Sequence, residues 1–257
     1  MVMKRFYIKT ENSSKYWTDF ESELSAYYHL IWLGETSIND FIINEVNFIK
    51  KYMLLTYKYG LVTPINGNEQ NLLSGYQDYK LSNENKGISG SNLMNYLYNN
   101  NQKIDLVYPS KIFTDVNDKL PKKLIGVDPV TELNADIFLH DSYWKFPLRV
   151  ELWKKENKIE VVLNLDNDIF NLGLENKKCR EFEFPVDNSD LAYLNTPRLN
   201  SFLRDLKKLC FEYGATDFEF EDLGLNDFTE NGVLFDNEIV YYEDIVDILE
   251  PYQRIVK

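Results

Sequence analysis

Cysteine and histidine are nearly missing from this chain: Cys179, Cys210, His29 and His140 are all it has among 257 residues. There is no CxxC pair, no disulfide framework and no pair of histidines at a metal-ligand spacing. Such sparse cysteine fits a reducing compartment. Cys210 falls on the apolar stripe of a helix and reads as core, the usual place of a free cysteine. His29 reads as a packed or hydrogen-bonded residue. No apolar run approaches the roughly 18 residues of a membrane span, and Met1 to Lys9 is too charged for a signal peptide. A cytoplasmic protein is expected. Six arginines against 22 lysines, with four alanines and many asparagines, suggest an AT-rich bacterial or phage genome.

The most informative shortage is of positive charge. No lysine or arginine occurs between Lys208 and Arg254. The same stretch carries thirteen carboxylates: Glu212, Asp217, Glu219, Glu221, Asp222, Asp227, Glu230, Asp236, Glu238, Glu243, Asp244, Asp247 and Glu250. The other 28 acids balance all 28 bases, so the net charge of −13 resides in this segment. A chain this acidic repels nucleic-acid phosphate and membrane surfaces of like charge, which argues against direct nucleic-acid binding. The short lysine clusters at 119–123, 154–158 and 177–180 lack aromatic interleaving and read as solvated turns.

What is present is ample apolar material, 44% hydrophobic and 15% aromatic, enough for a sizeable core. Trp17, Phe20, Leu24, Tyr27, Tyr28 and Ile31 follow helical spacing from a Ser13 or Ser14 cap to Gly34. A second helix from Ser37, with the stripe Phe41, Ile42, Val46, Ile49, Met53 and Tyr57, ends at Gly60. The pair predicts a helical hairpin over 15–59. Residues 61–86 are rich in turn signals, and Gly87-Ile-Ser-Gly-Ser-Asn lacks the GK[ST] ending of a phosphate loop. Short strands are expected at 5–9, 104–108 and 124–127, with a short helix over 91–97.

Beyond about residue 140 the period changes from 3.6 to two. Strands are expected at 146–153, 159–165, 180–186 and 217–221, with Ile159, Val161, Leu163 and Leu165 on a single buried face. Thr196 as N-cap and Pro197 at the first helical position open a helix with the stripe Leu199, Phe202, Leu203, Leu206, Leu209 and Cys210, stopped by Gly214. Strand, helix, strand in that order is compatible with a βαβ crossover. Residues 233–235 and 238–242 read as a hairpin around Asp236-Asn237, and 243–249 as a closing helix. The expected class is α+β: a mostly helical lobe over 1–140 with long loops, then an α+β lobe over 141–257 with a mixed sheet packed on a helix, carrying the acidic segment.

Catalytic motifs are weak. Asn164-Leu-Asp-Asn-Asp168 with Glu175 imitates a calcium loop but has Ile169 where the sharp turn needs glycine. Glu156-Asn-Lys158 and Glu175-Asn-Lys177 match only half of a nuclease core. No catalytic residue, metal or cofactor is assigned. Glu219, Glu221, Asp222, Asp227, Glu230, Asp236 and Glu238, with the aromatic anchors Phe228, Tyr241 and Tyr242, are the candidate partner-binding residues. In these gross features the chain is similar to immunity proteins and antitoxins that cap nuclease toxins, and to phage proteins that mimic DNA; the likeness is of charge and composition. The expected function is occlusion of a basic protein partner such as a nuclease-type toxin. The alternative is a metal-dependent enzyme using carboxylates of the 217–244 region.

Overall fold

The computed structural model describes residues 26–61, 97–98, 103–106, 111–113, 122–123, 149–155, 157–165, 170–174, 186–222 and 227–255. In chain order the elements are β1 (Ala26–Leu33), α1 (Glu35–Lys58), β2 (Leu97–Tyr98), β3 (Lys103–Leu106), β4 (Lys111–Ile112), β5 (Lys122–Lys123), β6 (Arg149–Lys155) and β7 (Lys158–Leu165). Then follow β8 (Gly173–Leu174), β9 (Val186–Asp187), α2 (Ser189–Glu212), β10 (Asp217–Asp222), β11 (Phe228–Thr229), β12 (Gly232–Val233), α3 (Tyr242–Ile245) and a 3-10 turn (Pro251–Gln253). The class is α+β. A six-stranded sheet runs β10-β1-β7-β6-β3-β2, and the pairs β4-β5, β8-β9 and β11-β12 form small sheets of their own.

Every pairing in the large sheet is antiparallel, so the expected mixed sheet with a βαβ crossover is not formed among the described residues. Because β7 and β10 both run antiparallel to β1, they lie parallel to each other on its two sides. The chain leaves β7, passes through α2 and returns as β10, skipping the slot that β1 fills. The helical hairpin is corrected here too: Ala26–Leu33 is a strand, while the rest of that expected helix lies outside the described residues. Ala-Tyr-Tyr-His-Leu-Ile-Trp-Leu is aromatic and nearly continuously apolar, which suits a central strand covered on both faces better than a surface helix. Nor is the sheet confined to the chain after residue 144. The boundary near residue 140 lies outside the described residues, and the described residues on either side of it share one sheet and one core.

One face of the sheet carries Tyr28, Leu30, Trp32, Leu152, Ile159, Val161 and Leu163, and both long helices pack on it. Trp32 meets Phe41 and Phe48 of α1 at ring distances of 4.8 and 5.9 Å, and Tyr52 meets Phe202 of α2 at 6.2 Å. The buried stripe of α1 is Phe41, Glu45, Phe48, Ile49, Tyr52, Met53 and Thr56, rotated from the expected one, which leaves Ile42 exposed. Glu45 is accounted for by Lys154 of β6 at 2.7 Å. Gly60, at φ 59°, closes α1 as expected: its N–H donates to Tyr57 and that of Leu61 to Thr56, satisfying carbonyls the helix leaves open. The other face of β7 is buried as well, since Glu160, Val162 and Asn164 are all covered; the expectation of one buried face fails there.

α2 is the hub. It starts at Ser189 behind Asn188, so Thr196 and Pro197 lie inside the helix rather than at its start. Pro197 removes one helix donor, and the Thr196 hydroxyl is turned outward to the Phe170 carbonyl at 2.6 Å. The expected stripe from Leu199 to Cys210 is buried, and so are the polar residues Asn195, Thr196, Arg198, Asn200 and Ser201. Each of these ties down the backbone of a different segment. Asn195 exchanges two 2.9 Å bonds with the Phe113 backbone. Arg198, 1% exposed, donates to the carbonyls of Tyr59 and Gly60 at the end of α1. That position suits a cation beside the negative end of a helix dipole, even though burial lowers the guanidinium pKa to about 10.

Candidate functional site

From Thr216 to Val240 the acidic segment is held by apolar and uncharged polar anchors. α2 stops at Gly214, where Ala215 N–H donates to Cys210. Thr216 then docks the chain on β1, its N–H reaching Ile31 O at 2.7 Å and its hydroxyl accepting from Leu33 N–H. Strand alternation sends Phe218 and Phe220 of β10 toward the helices, with Tyr28 and Phe220 rings 5.0 Å apart. Asp217, Glu219 and Glu221 alternate with them and are exposed, as the alternation predicts.

After β10 the segment is pinned by Asn200 of α2, which is fully buried. Its Nδ2 donates to Val233 O at 2.8 Å and Val240 O at 3.0 Å, and its Oδ1 accepts from Val233 N–H at 2.8 Å. Asp236 and Asn237, at φ 52° and 68°, make the tight turn expected there, the pattern of a type I′ turn. Only the bridge Phe235–Glu238 forms across it, not a longer hairpin. The closing helix is also shorter than expected, Tyr242–Ile245.

α3 is joined to both long helices by a charged network. Ser201 donates to Glu243 at 2.6 Å and accepts from the Tyr242 amide at 2.9 Å. Arg204 bridges Asp205 and Glu243 at 2.9 and 3.1 Å, and the Tyr59 hydroxyl donates to Asp205 at 2.5 Å. Burial opposes ionisation of Asp205, but bonds from Tyr59, Lys58 and Arg204 outweigh it and hold the pKa at about 2. Glu243 is likewise lowered: burial works against it, and the Ser201 bond and Arg204 prevail. Burial and these same carboxylates raise the Tyr59 phenol well above its ordinary range. With every member held in its charged or neutral resting form, the network is suited to fixing α3 rather than to proton transfer.

On the opposite face of the sheet His29 Nδ1 donates to Glu160 at 2.5 Å, and Lys158 reaches the other oxygen at 3.1 Å. The His29 bond, with help from Lys158 and against burial, lowers the Glu160 pKa to about 2. Glu219 is the cross-strand neighbour of His29 on this face. Sequence reasoning assigned His29 a packing or hydrogen-bonded role without deciding between them, and could not find a partner 131 residues away.

The candidate partner residues separate into groups. Glu219, Glu221, Asp222, Glu230, Asp236 and Glu238 are exposed, and Asp227 is half-buried. Phe228 is 4% exposed and belongs to the core, so it is corrected from anchor to packing residue. Tyr242 is half-buried, its hydroxyl accepting from Ile255 N–H at 2.8 Å. Tyr241 is half-buried under the Arg204 guanidinium, 4.6 Å from its ring centre. Beside it lies a cavity of about 90 Å³ between β10, β1 and α2. Its floor is Tyr28, Leu30, Leu163, Leu203, Leu206 and Phe218. Its rim is Arg204, Lys207, Glu230, Asn231 and Tyr241, with Lys207 Nζ held 3.6 Å over the Phe218 ring.

Among the described residues no three His, Cys, Asp or Glu side chains are grouped to hold a metal ion, and no helix is long and apolar enough to cross a membrane. The calcium-like loop and both Glu-x-Lys pairs involve positions outside the described residues, as do the short strands expected at 5–9, 124–127 and most of 180–186. Comparison with known proteins finds no matching family, curated protein or solved structure.

Proposed function

We propose that the protein is an acidic interaction protein that docks on a basic partner surface and occludes it, of the immunity-protein, antitoxin or DNA-mimic type. The supporting observation is that Glu219, Glu221, Asp236 and Glu238 are exposed and make no ion pair with any described residue. Unpaired like charges repel one another and add nothing to the stability of the fold. Opposed by lysines and arginines of a partner, the same charges steer encounter and fix orientation. Tyr241, rigid and amphipathic beside the cavity, is the aromatic residue best placed as an anchor.

The test is association kinetics with the product of the adjacent gene, at low and physiological salt. The association rate of the unmutated protein is expected to fall steeply with salt. A Glu219→Lys/Glu221→Lys/Asp222→Lys variant should fold normally and associate at least about tenfold more slowly. Binding that is independent of salt and unchanged in the variant refutes the reading.

A further inference from the structure

We propose that the partner is engaged by strand addition: a basic segment in extended conformation pairs with the outer edge of β10 and sets an aliphatic side chain into the cavity beside Phe218. This rests on the docking reading above and names the contact segment of the partner. Among the described residues β10 ends the sheet order, with β1 paired to it on one side. An end strand presents backbone donors and acceptors to any chain that can lie alongside. The Phe218 amide donates to the neighbouring Asp217 carboxylate at 2.8 Å, a local bond that the carbonyl of an added strand can replace.

The two faces of β10 then dictate the side chains of the added strand, because residues directly opposite share a face. Opposite Glu219 and Glu221, both exposed, lysine or arginine is favoured. Opposite Phe218 and Phe220, on the helix side, an apolar residue is favoured, and there the cavity of about 90 Å³ lies beneath a rim that includes the exposed Arg204, Glu230 and Asn231. An engineered cavity of about 150 Å³ accepts the six carbons of benzene. By proportion this one accepts about four, the size of a leucine or isoleucine side chain. The recognised pattern is therefore basic and aliphatic in alternation. A second copy of this chain is the wrong occupant, since two β10 edges would set carboxylate against carboxylate.

The probe is a capped octapeptide alternating lysine with valine, one central valine replaced by leucine, compared calorimetrically with a peptide of the same composition whose lysines form one block. Expected is at least about tenfold tighter binding of the alternating peptide, a loss of about tenfold or more when its leucine becomes alanine, and rising amide protection of Phe218 and Phe220. Of two alternating peptides N-methylated on opposite edges, one should lose binding and the other keep it. Equal binding of the alternating and block peptides, weakened in Glu219→Lys/Glu221→Lys, overturns strand addition and leaves electrostatic docking standing. Binding of neither peptide, or equal tolerance of both N-methylations, overturns it too. The docking reading falls separately, on salt-independent association with the partner protein.

Discussion

Removing the side chain of Asn200 should loosen the acidic segment specifically. Asn200→Ala deletes three hydrogen bonds, two buried ones to Val233 and a partly buried one to Val240. At about 1 kcal/mol net each they contribute about 3 kcal/mol, and the Val233 N–H, left without an acceptor in a buried site, adds to the loss unless water reaches it. Total stabilities of about 5–15 kcal/mol leave the variant folded. Urea denaturation should show the fall in midpoint, and hydrogen exchange should show Val233 opening far more than the amides of β7. The neighbouring glycine gives an independent check. A Cβ on Gly232 would stand 2.6 Å from Asn200 Oδ1, at φ 135°. Gly232→Ala should therefore destabilise strongly in the native background and less so in Asn200→Ala, where the clash is gone, a coupling that a double-mutant cycle reads directly. A loss below about 1 kcal/mol for Asn200→Ala with Val233 still protected refutes the pinning argument.

Phe202→Ala should cost about 2–5 kcal/mol by denaturation, the usual range for a fully buried aromatic or large aliphatic side chain, and an unmoved midpoint would show that α2 is not the centre of the core. Glu160 gives a pH signature: its pKa falls from 4.5 to about 2 on folding. Its stabilising effect is complete above the unfolded value and is lost as pH drops from about 4.5 toward 2, amounting to about 3 kcal/mol. Glu160→Gln should reduce the stability difference between pH 6 and pH 2 by about that amount, and an unchanged acid profile would refute the His29–Glu160 assignment.

Sequence reading succeeded where one signal dominated. The Leu199 to Cys210 stripe, the glycine stops at Gly60 and Gly214 and the alternating Phe-Glu-Phe-Glu of β10 each have a local physical cause, and each is where it was expected. It failed where burial was two-sided. β1 is aromatic or apolar at nearly every position on both faces, with Tyr27 and His29 half-buried on the face away from the helices, so its apolar residues have no period of two, and Tyr27, Tyr28 and Ile31 fell by accident on a helical spacing. Thr196-Pro197 carries a helix-start signature in the interior of a helix because its hydroxyl serves a neighbouring loop instead of the helix end. The polar residues Asn195, Arg198, Asn200 and Ser201 were visible in the sequence, but their partners are backbone groups brought by folding from distant segments, and residue type alone does not reveal those.

The slot between β7 and β10 imposes an order on biosynthesis. Trp32 and the Tyr213 carbonyl that its indole meets are 181 residues apart, so β1 leaves the ribosome long before either of its neighbours exists. At about 5–20 residues per second the wait is roughly ten to forty seconds, and closing so long a loop makes for a slow folding step. Meanwhile Ala26–Leu33, apolar and aromatic with both edges open, is the part of the nascent chain most exposed to adhesion. A polypeptide interrupted before Asp217 would keep the β10 side of β1 open for good, and should partition to chaperones or inclusion bodies rather than persist as a shortened soluble form.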